Sequence, residues 1–196
     1  MPKANDHRTK VTKMLIRKAF TDLLRHKPIQ SISIKELCDA AKINRGTFYR
    51  HYSDIYDLLD QLEVEMTQDL KEALQPLLQA DAGPTPLEIT TGIFQILKDN
   101  ADICTVTLGP FGDKEFAARL IQTGRENYGE AYARLFKDAT PKQLDYYYAF
   151  VSSGCIGLLE KWLEEGMVSS AEEIAATAED IMVHGIGFLQ KQGGST

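Results

Sequence analysis

The sequence predicts an all-α protein in which an N-terminal three-helix helix-turn-helix domain is followed by a larger helical domain. Apolar residues recur at the spacing of amphipathic helices along almost the whole chain, and no segment shows the sustained alternation of a strand. The charge is also uneven, since residues 1–52 hold 12 Lys and Arg against 4 Asp and Glu, a net +8. Residues 53–196 hold 10 against 24, a net −14. We therefore predict two domains, 1–52 and 53–196.

Three helices of the N-terminal domain are predicted from apolar periodicity and helix boundaries. The first covers about residues 9–26 and ends there because Pro28 disfavours helical geometry in the residue before it. The second begins at Ser33, with Glu36 at the spacing of a capping box. The third is short and begins near Asn44, in NRGTFYRHY. The apolar stripe expected on the first helix consists of Val11, Leu15, Ala19 and Leu23, widened by Ile16, Phe20 and Leu24.

The third helix carries polar residues on its predicted outer side, whereas Phe48 and Tyr52 are predicted to be core residues. Arginine pairs with guanine edges, and hydroxyl and imidazole groups donate hydrogen bonds to phosphates. A glycine at position 46 lets the helix backbone approach a ligand closely. Together with the basic charge, this pattern favours a reader of the DNA major groove over a merely solvated basic surface. The outward residues are Arg45, Gly46, Thr47, Tyr49 and His51.

The segment from about Thr9 to Leu59, centred on RGTFYRHYSDIYDLL, resembles the DNA-binding domain of the TetR/AcrR family of transcriptional regulators. The resemblance implies a homodimer, in most members a repressor, that binds a pseudo-palindromic operator in double-stranded DNA. It also implies that a small-molecule effector in the second, regulatory and dimerisation domain changes the spacing of the two DNA-binding heads. The DNA contacts carried over from the family are Ser33 and Lys35 on the second helix, Arg45, Gly46 and Thr47 at the bases, and Tyr49 and His51 on the backbone.

The chain departs from the family pattern at two positions. Ile55 stands where many relatives have a phosphate-binding lysine, so that contact is either missing or made by Arg50. Lys42 stands in the turn after the second helix, where a glycine is common. Because a left-handed lysine costs about 1–2 kcal/mol, we expect this turn to adopt another geometry.

The predicted second domain begins with a helix from Ser53 to about residue 78, followed by a linker, ADAGPTP, at 80–86. Thr140 and Pro141 mark one later helix start, and a capping box from Ser170 to Glu173 marks another. The further helices are predicted at about 86–99, 101–108, 113–137, 141–165 and 170–191.

The segment YYYAFVSSGCIGLLEKWLEEGM, residues 146–167, resembles a C-terminal region of a subgroup of TetR-like regulators. Small residues inside this helix indicate a close approach between helices, because a helical glycine costs about 1 kcal/mol relative to alanine. In the family arrangement this helix and the last one form a dimer interface, and the alternative is tight packing within one subunit. The predicted interface residues are Ser153, Gly154, Gly157, Ile181, Gly185 and Phe188.

An effector pocket is predicted only from aromatic residues of the second domain, whose simpler interpretation is an aromatic core. The candidates for its lining are Phe94, Tyr128, Tyr132, Tyr147 and Trp162. Cys104 and Cys155 could sense oxidants, but they are better interpreted as small buried residues.

Several functional classes are excluded by what the sequence lacks. There is no apolar run of transmembrane length and no signal-peptide core, and three widely spaced cysteines form no CxxC pair, so we expect a cytoplasmic protein. The four histidines have no metal-ligand spacing and no catalytic motif occurs, so we expect no enzyme, cofactor or metal site. The alternative function is a protein-interaction or co-activator subunit with weak or no DNA binding, which Ile55 favours and the retained Arg45, Thr47, Tyr49 and His51 oppose.

Overall fold

The computed structural model describes residues 3–78, 85–108, 116, 118, 119, 121, 122, 125 and 136–185. These residues form helices and connecting turns without any strand, which confirms the predicted all-α class. A short 3₁₀ helix, Ile29–Ser31, lies between the first two α-helices. The α-helices are α1 (Lys3–Leu24), α2 (Ile34–Ala41), α3 (Arg45–Phe48), α4 (Ile55–Leu78), α5 (Pro86–Asp99), α6 (Ala101–Thr107), α7 (Pro141–Glu164) and α8 (Ala171–His184).

The described helix boundaries agree with the sequence at α5, α6 and α7, and differ elsewhere. Helix α1 begins six residues earlier than predicted, and α4 begins at Ile55 rather than Ser53. The helix predicted at 113–137 is helical at every described position from 116 to 125, but residue 136 is no longer helical. The end of the last predicted helix, residues 186–191, and most of the linker, residues 80–84, lie outside the described residues.

The chain divides into two compact units. The first holds the described residues of Met1–Met66 and Asp102–Phe116, and the second holds those of Thr67–Ala101 and Ala117–Thr196. The first half of α4 and nearly all of α6 therefore belong with α1, α2 and α3. The predicted boundary between residues 52 and 53 separates a DNA-binding from a regulatory domain by function, whereas the two units are defined by compactness. The functional boundary therefore stays a prediction.

The first unit has a core of large apolar side chains from all of its helices. On α1, the buried stripe is Ile16, Phe20 and Leu24, each at most 6% exposed. Val11 and Leu15, which were predicted to belong to the stripe, are exposed. Helix α1 therefore turns inward the widening side of the predicted stripe, together with Ala19, which is 8% exposed. The remaining core members are Ala19, Ile32, Leu37, Cys38, Ala41, Phe48, Tyr52, Ile55, Leu58, Leu62, Met66, Ile103, Cys104, Val106 and Phe116.

In the second unit, α5 packs closely against α8. The buried residues of α8 are Ala171, Ala175 and Ala178, whose spacing puts three small side chains on one face. Small side chains allow two helix backbones to approach. Close packing of helices within the unit is thus carried by these alanines. By contrast, a Cβ added at Gly154 or Gly157 of α7 would meet nothing within 4 Å, so tight packing within one subunit does not explain these glycines.

The W-L-x-x-G-M segment forms the turn between α7 and α8. Gly166 and Met167 have φ angles of 74° and 53°, in the left-handed region. The Met167 N–H donates to the Trp162 carbonyl at 2.9 Å, which closes the end of α7. The Trp162 ring is buried edge-on against Phe94, and its N–H donates to the Ser169 carbonyl at 3.2 Å. The Lys98 ammonium donates to the same carbonyl at 3.2 Å, so this signature has a structural role.

Candidate DNA-binding surface

Helix α2 begins with a side-chain cap. The Ser33 hydroxyl accepts a hydrogen bond from the Glu36 N–H at 3.2 Å, as the capping box predicts. The Glu36 carboxylate accepts from the Lys27 ammonium at 2.6 Å on both oxygens instead of completing the box. This hydrogen bond lowers the pKa of Glu36. Ser33 and Lys35 are both exposed beside this helix start.

The turn from α2 to α3 is left-handed at Lys42, where φ is 55° and ψ is 42°. The prediction that this turn avoids a left-handed lysine was therefore wrong. The Ile43 N–H donates to the Cys38 carbonyl, five residues earlier, at 3.0 Å. This hydrogen bond is typical of helices that end in a left-handed glycine. The buried α2 side chains Leu37, Cys38 and Ala41 fix the exit direction of the helix, so the chain turns here with a lysine in the glycine position.

Helix α3 is four residues long and depends on its cap. The Asn44 side-chain oxygen accepts from the Thr47 N–H at 2.7 Å and from the Thr47 hydroxyl at 3.1 Å. A Cβ on Gly46 would lie 3.3 Å from this same Asn44 oxygen. The glycine at position 46 therefore leaves space for the capping side chain of Asn44, and it also leaves the backbone of α3 exposed at this point. At the other end, Phe48 is fully buried and holds α3 on the core, with its ring 5.6 Å from that of Tyr52.

The anchoring of Phe48 leaves the other side of α3 outward. Arg45, Gly46 and Tyr49 are exposed, and Thr47 and His51 are half-buried. The Tyr49 ring stands edge-on to Phe48 while 55% of the residue remains exposed. All seven predicted DNA-contact residues therefore have accessible surface in the first unit.

A polar cleft of about 500 Å³ lies next to α3. Of the predicted contacts, it brings together only Thr47 and His51. Arg50 also lines it, donating from its guanidinium to the Thr47 hydroxyl at 3.2 Å and to the Gly46 carbonyl at 3.4 Å. The rest of its lining comes from α1 and from the turn, namely Arg8, Thr9, Thr12, Lys42, Ile43 and Asn44.

The start of α4 explains the departure at Ile55. The Asp54 carboxylate accepts from the Asp57 N–H at 2.9 Å, and that of Asp57 accepts from the Ser53 N–H at 2.6 Å. Bonding to the Ser53 N–H is the main cause that lowers the pKa of Asp57. Ile55 thus becomes the first residue of α4 and is only 5% exposed. Residue 55 belongs to the core here, and the next residue, Tyr56, is exposed.

An apolar cavity of about 130 Å³ lies in the second unit. Phe94 and Tyr147, two of the five predicted lining residues, border it. Trp162 is buried behind Phe94 and does not line it, while Tyr128 and Tyr132 lie outside the described residues. The complete described lining is Leu70, Ile89, Thr90, Ile93, Phe94, Leu97, Ile121, Tyr147, Tyr148, Val151, Ser152, Cys155, Ile156 and Leu159.

Two family models match the chain. Residues 16–62 match the bacterial regulatory proteins of the tetR family, and residues 84–184 match a transcriptional regulator C-terminal region of the same family. The chain belongs to the TetR family. Its members are DNA-binding transcription factors rather than enzymes, so this TetR-family protein is a transcriptional regulator.

The individual proteins that the chain resembles share little sequence identity with it, or share it over a short segment only. An uncharacterised HTH-type transcriptional regulator, YxbF of Bacillus subtilis, is 32% identical over 59 residues, which are 30% of this chain and 16% of that protein. The repressor NalD of Pseudomonas aeruginosa has a TM-score of 0.68 at 18% identity, covering 90% of this chain and 97% of its own. The regulator FadR of Bacillus subtilis, solved with stearoyl-CoA, has a TM-score of 0.67 at 11% identity, covering 88% and 98%. The two structures are similar to this TetR-family regulator in fold.

Several residues of the cleft were not found from the sequence. Arg8, Thr9 and Thr12 precede the buried stripe of α1, so periodicity treats them as solvated surface. Their one sequence signal is a polar run, with Arg8 and Thr12 at helical spacing in the basic N-terminal segment.

Among the described residues, no helix is both long and apolar enough to cross a bilayer.

Proposed function

We propose that this TetR-family regulator is a cytoplasmic repressor that binds a pseudo-palindromic operator as a homodimer and responds to a small-molecule effector. The observation that carries the DNA-binding part is the outward side of α3. With Phe48 buried, the exposed Arg45, Gly46 and Tyr49 stand on a short helix beside a cleft that Arg50 and His51 line.

The chemistry of this surface suits a duplex. Arg45 has a guanidinium that can pair with the two acceptors of guanine in the major groove. Lys42 and Arg50 add positive charge at the edge of the same helix, where phosphates of the backbone are bound in helix-turn-helix complexes. Ser33 and Lys35, at the exposed start of α2, are proposed to hold the adjoining phosphates.

The homodimer is proposed to form through one face of α7 and the adjacent part of α8. Tyr146 and Phe150 are 67% and 72% exposed, and Ser153, Gly154 and Gly157 continue the same exposed face. On α8, Val183 is 66% exposed, Gly185 is exposed, and Ile181 is half-buried. Exposed apolar surface of this extent marks interaction sites, and small residues let a partner helix approach. Phe188 lies outside the described residues.

The effector is proposed to bind in the apolar cavity of the second unit. Concave, mostly apolar sites with a few polar groups are the usual form of small-molecule sites. The fold relative FadR was solved with stearoyl-CoA, which supports a ligand-binding role for this kind of helical domain. Repression is supported by the relative NalD, which is a repressor.

A protein-interaction subunit with weak DNA binding remains the second candidate. The specific observation in its favour is that Ile55, at the position of the usual phosphate-binding lysine, is a buried core residue. Position 55 therefore offers no basic side chain to a phosphate, and Arg50, which lines the cleft, is the residue proposed to make that contact instead.

The test is a selection of binding duplexes from a random pool at near-physiological salt, followed by titration of the selected site. Arg45→Ala should weaken binding about 10- to 100-fold and relax the preference at one base pair, because a good arginine–guanine pair is worth about 1–3 kcal/mol of discrimination. His51→Ala should weaken binding to all duplexes alike.

Arg25→Ala is the matched control, because Arg25 is also an exposed arginine of this unit but pairs with Asp22 at 3.3 Å away from α3. The affinity of this control variant for the selected duplex should stay within about twofold of that of the unchanged protein, since an exposed ion pair contributes little. Far-UV circular dichroism should be unchanged in all three variants. A folded protein that enriches no duplex even at low salt would favour the protein-interaction candidate.

A further inference from the structure

The described wall of the apolar cavity in the second unit consists of uncharged residues. The cavity is bordered by the side chains of α4, α5 and α7 and by Ile121. Among these described lining residues there is no Asp, Glu, Lys, Arg or His. A ligand with a formal charge would therefore lose its hydration without gaining an ionic partner from them.

Two hydroxyl groups of the described wall already donate to the protein. The Tyr148 hydroxyl donates to the Ile121 carbonyl at 2.7 Å, and the Ser152 hydroxyl donates to the Ala149 carbonyl at 3.3 Å. Burial raises the pKa of the Cys155 thiol, so this group stays neutral at physiological pH. What the wall offers a ligand is mainly apolar and aromatic contact.

The size of the cavity limits the ligand further. Its volume of about 130 Å³ is close to that of an engineered apolar protein cavity of about 150 Å³ that stays dry and binds benzene. A single aromatic ring fills such a volume, whereas a fused ring system or a long acyl chain would extend beyond it through the open side of the cavity.

We propose that this cavity binds a neutral, single-ring aromatic molecule and discriminates against carboxylates of the same size. The proposal rests on the effector role given to the cavity above, and it names the chemical class of that effector. Binding to the cavity does not itself require DNA, so the two proposals can fail separately.

The experiment measures binding of three single-ring probes to the full-length protein without DNA, by calorimetry and by the shift in melting temperature. The probes are toluene, benzoate, and nitrobenzene, which is neutral and has nearly the shape of benzoate. Toluene and nitrobenzene should bind and raise the melting temperature. Benzoate should bind at least about 100-fold more weakly, because its carboxylate has no partner in the wall.

Two phenylalanine variants locate the binding. Val151→Phe fills the cavity from α7 and should abolish the toluene signal. Val168→Phe makes the same substitution at a residue that is 87% exposed and should leave toluene binding unchanged. Ile93→Ala provides a second cavity variant that shortens a wall side chain instead of lengthening one, and it should bind naphthalene more tightly than the unchanged protein does.

Equal binding of benzoate and nitrobenzene would overturn the proposal, and so would the absence of toluene binding to a folded protein. Unchanged toluene binding in both cavity variants would show another site and would overturn it too. Duplex selection on the same preparation separates these outcomes from a failure of the proposed DNA-binding function. If toluene binds and a selected duplex is not released, the ligand class stands and the effector role fails.

Discussion

Lys42 has a backbone conformation that side chains other than glycine adopt at a cost. With φ 55° and ψ 42°, it lies in the left-handed region. Lys42→Gly should raise the free energy of unfolding by about 0.5–1 kcal/mol, since relief of roughly 1–2 kcal/mol of strain is partly offset by the greater freedom of glycine in the unfolded chain. Urea unfolding measures the change.

The control is Lys42→Ala, which removes the ammonium and keeps the Cβ. Its stability should equal that of the unchanged protein or fall slightly below it, since the strain remains. Both variants lose a positive charge from the cleft, so both should bind the selected duplex more weakly and with a shallower salt dependence. A glycine variant no more stable than the alanine variant would contradict the strain argument.

At the residue scale, the sequence predicts the α1 helix better than its orientation. The exposed Val11 and Leu15 have the same four-residue spacing as the buried Ile16, Phe20 and Leu24. Local periodicity cannot choose between these two faces, which are about 100° apart. The choice depends on what α2, α4 and α6 present to α1, and that information lies in distant parts of the chain.

At the element scale, α1 and α6 are joined within the first unit by an ion pair between Arg17 and Asp102. The guanidinium donates to both carboxylate oxygens, at 2.6 and 2.7 Å, and both side chains are less than one-third exposed. Burial acts to raise the pKa of Asp102, but the hydrogen bond and charge of Arg17 outweigh it, so the pKa is lowered overall.

Asp102→Asn should therefore lower the free energy of unfolding by about 1–3 kcal/mol at pH 7, the range for a hydrogen bond to a charged group. Because the folded-state pKa lies below the unfolded value, this contribution is complete above the unfolded pKa, near 3.8. It is lost as the pH falls through the lower, folded pKa. Urea unfolding of both proteins from pH 7 to pH 3 should show the difference narrowing below about pH 4.

Asp22→Asn is the matched control for this ion pair. Asp22 pairs with Arg25 at 3.3 Å, but both side chains are about half exposed. The substitution should change the stability by less than about 0.5 kcal/mol at any pH, since exposed pairs contribute little. An Asp102→Asn variant that behaves like this control would show that the α1–α6 ion pair does not stabilise the unit.

Helix starts are the elements that local sequence predicts well, because the capping side chain accepts from a backbone N–H only three residues further along the chain. The predicted caps at Thr140 and Ser170 both occur as full capping boxes. At Ser33 only one half forms, because Glu36 bonds to Lys27, nine residues away. The failure comes from a competing partner that the local motif does not contain.

At the scale of the whole molecule, the sites combine distant segments. Motif resemblance found the outward residues of α3, but the cleft beside it adds Arg8, Thr9 and Thr12 from α1. The cavity of the second unit likewise combines α4, α5, α7 and Ile121, and aromatic content alone found only Phe94 and Tyr147 of its lining. No local pattern specifies which distant side chains meet, so these sites required the fold.

The proposed dimer makes a prediction about the whole molecule that separates assembly from folding. Gly157 is exposed in α7, and a Cβ added there meets nothing within 4 Å in its own chain. Gly157→Leu should therefore leave the unit folded, and should favour the helix by up to about 1 kcal/mol because glycine is a poor helix former. At the proposed interface, the same leucine would separate the paired helices.

The expected result is a mass in solution that falls from dimer to monomer, together with an affinity for a two-half-site duplex that falls to that for an isolated half-site. Ala40→Leu, at an exposed position of α2 in the first unit, adds apolar surface outside the proposed interface and should leave the mass unchanged. A Gly157→Leu variant that remains a dimer with raised helix stability would move the interface away from this face of α7. Loss of the dimer with unchanged circular dichroism would assign the exposed Tyr146–Phe150–Gly157 face to contact between subunits, since the substitution alters nothing else within the chain.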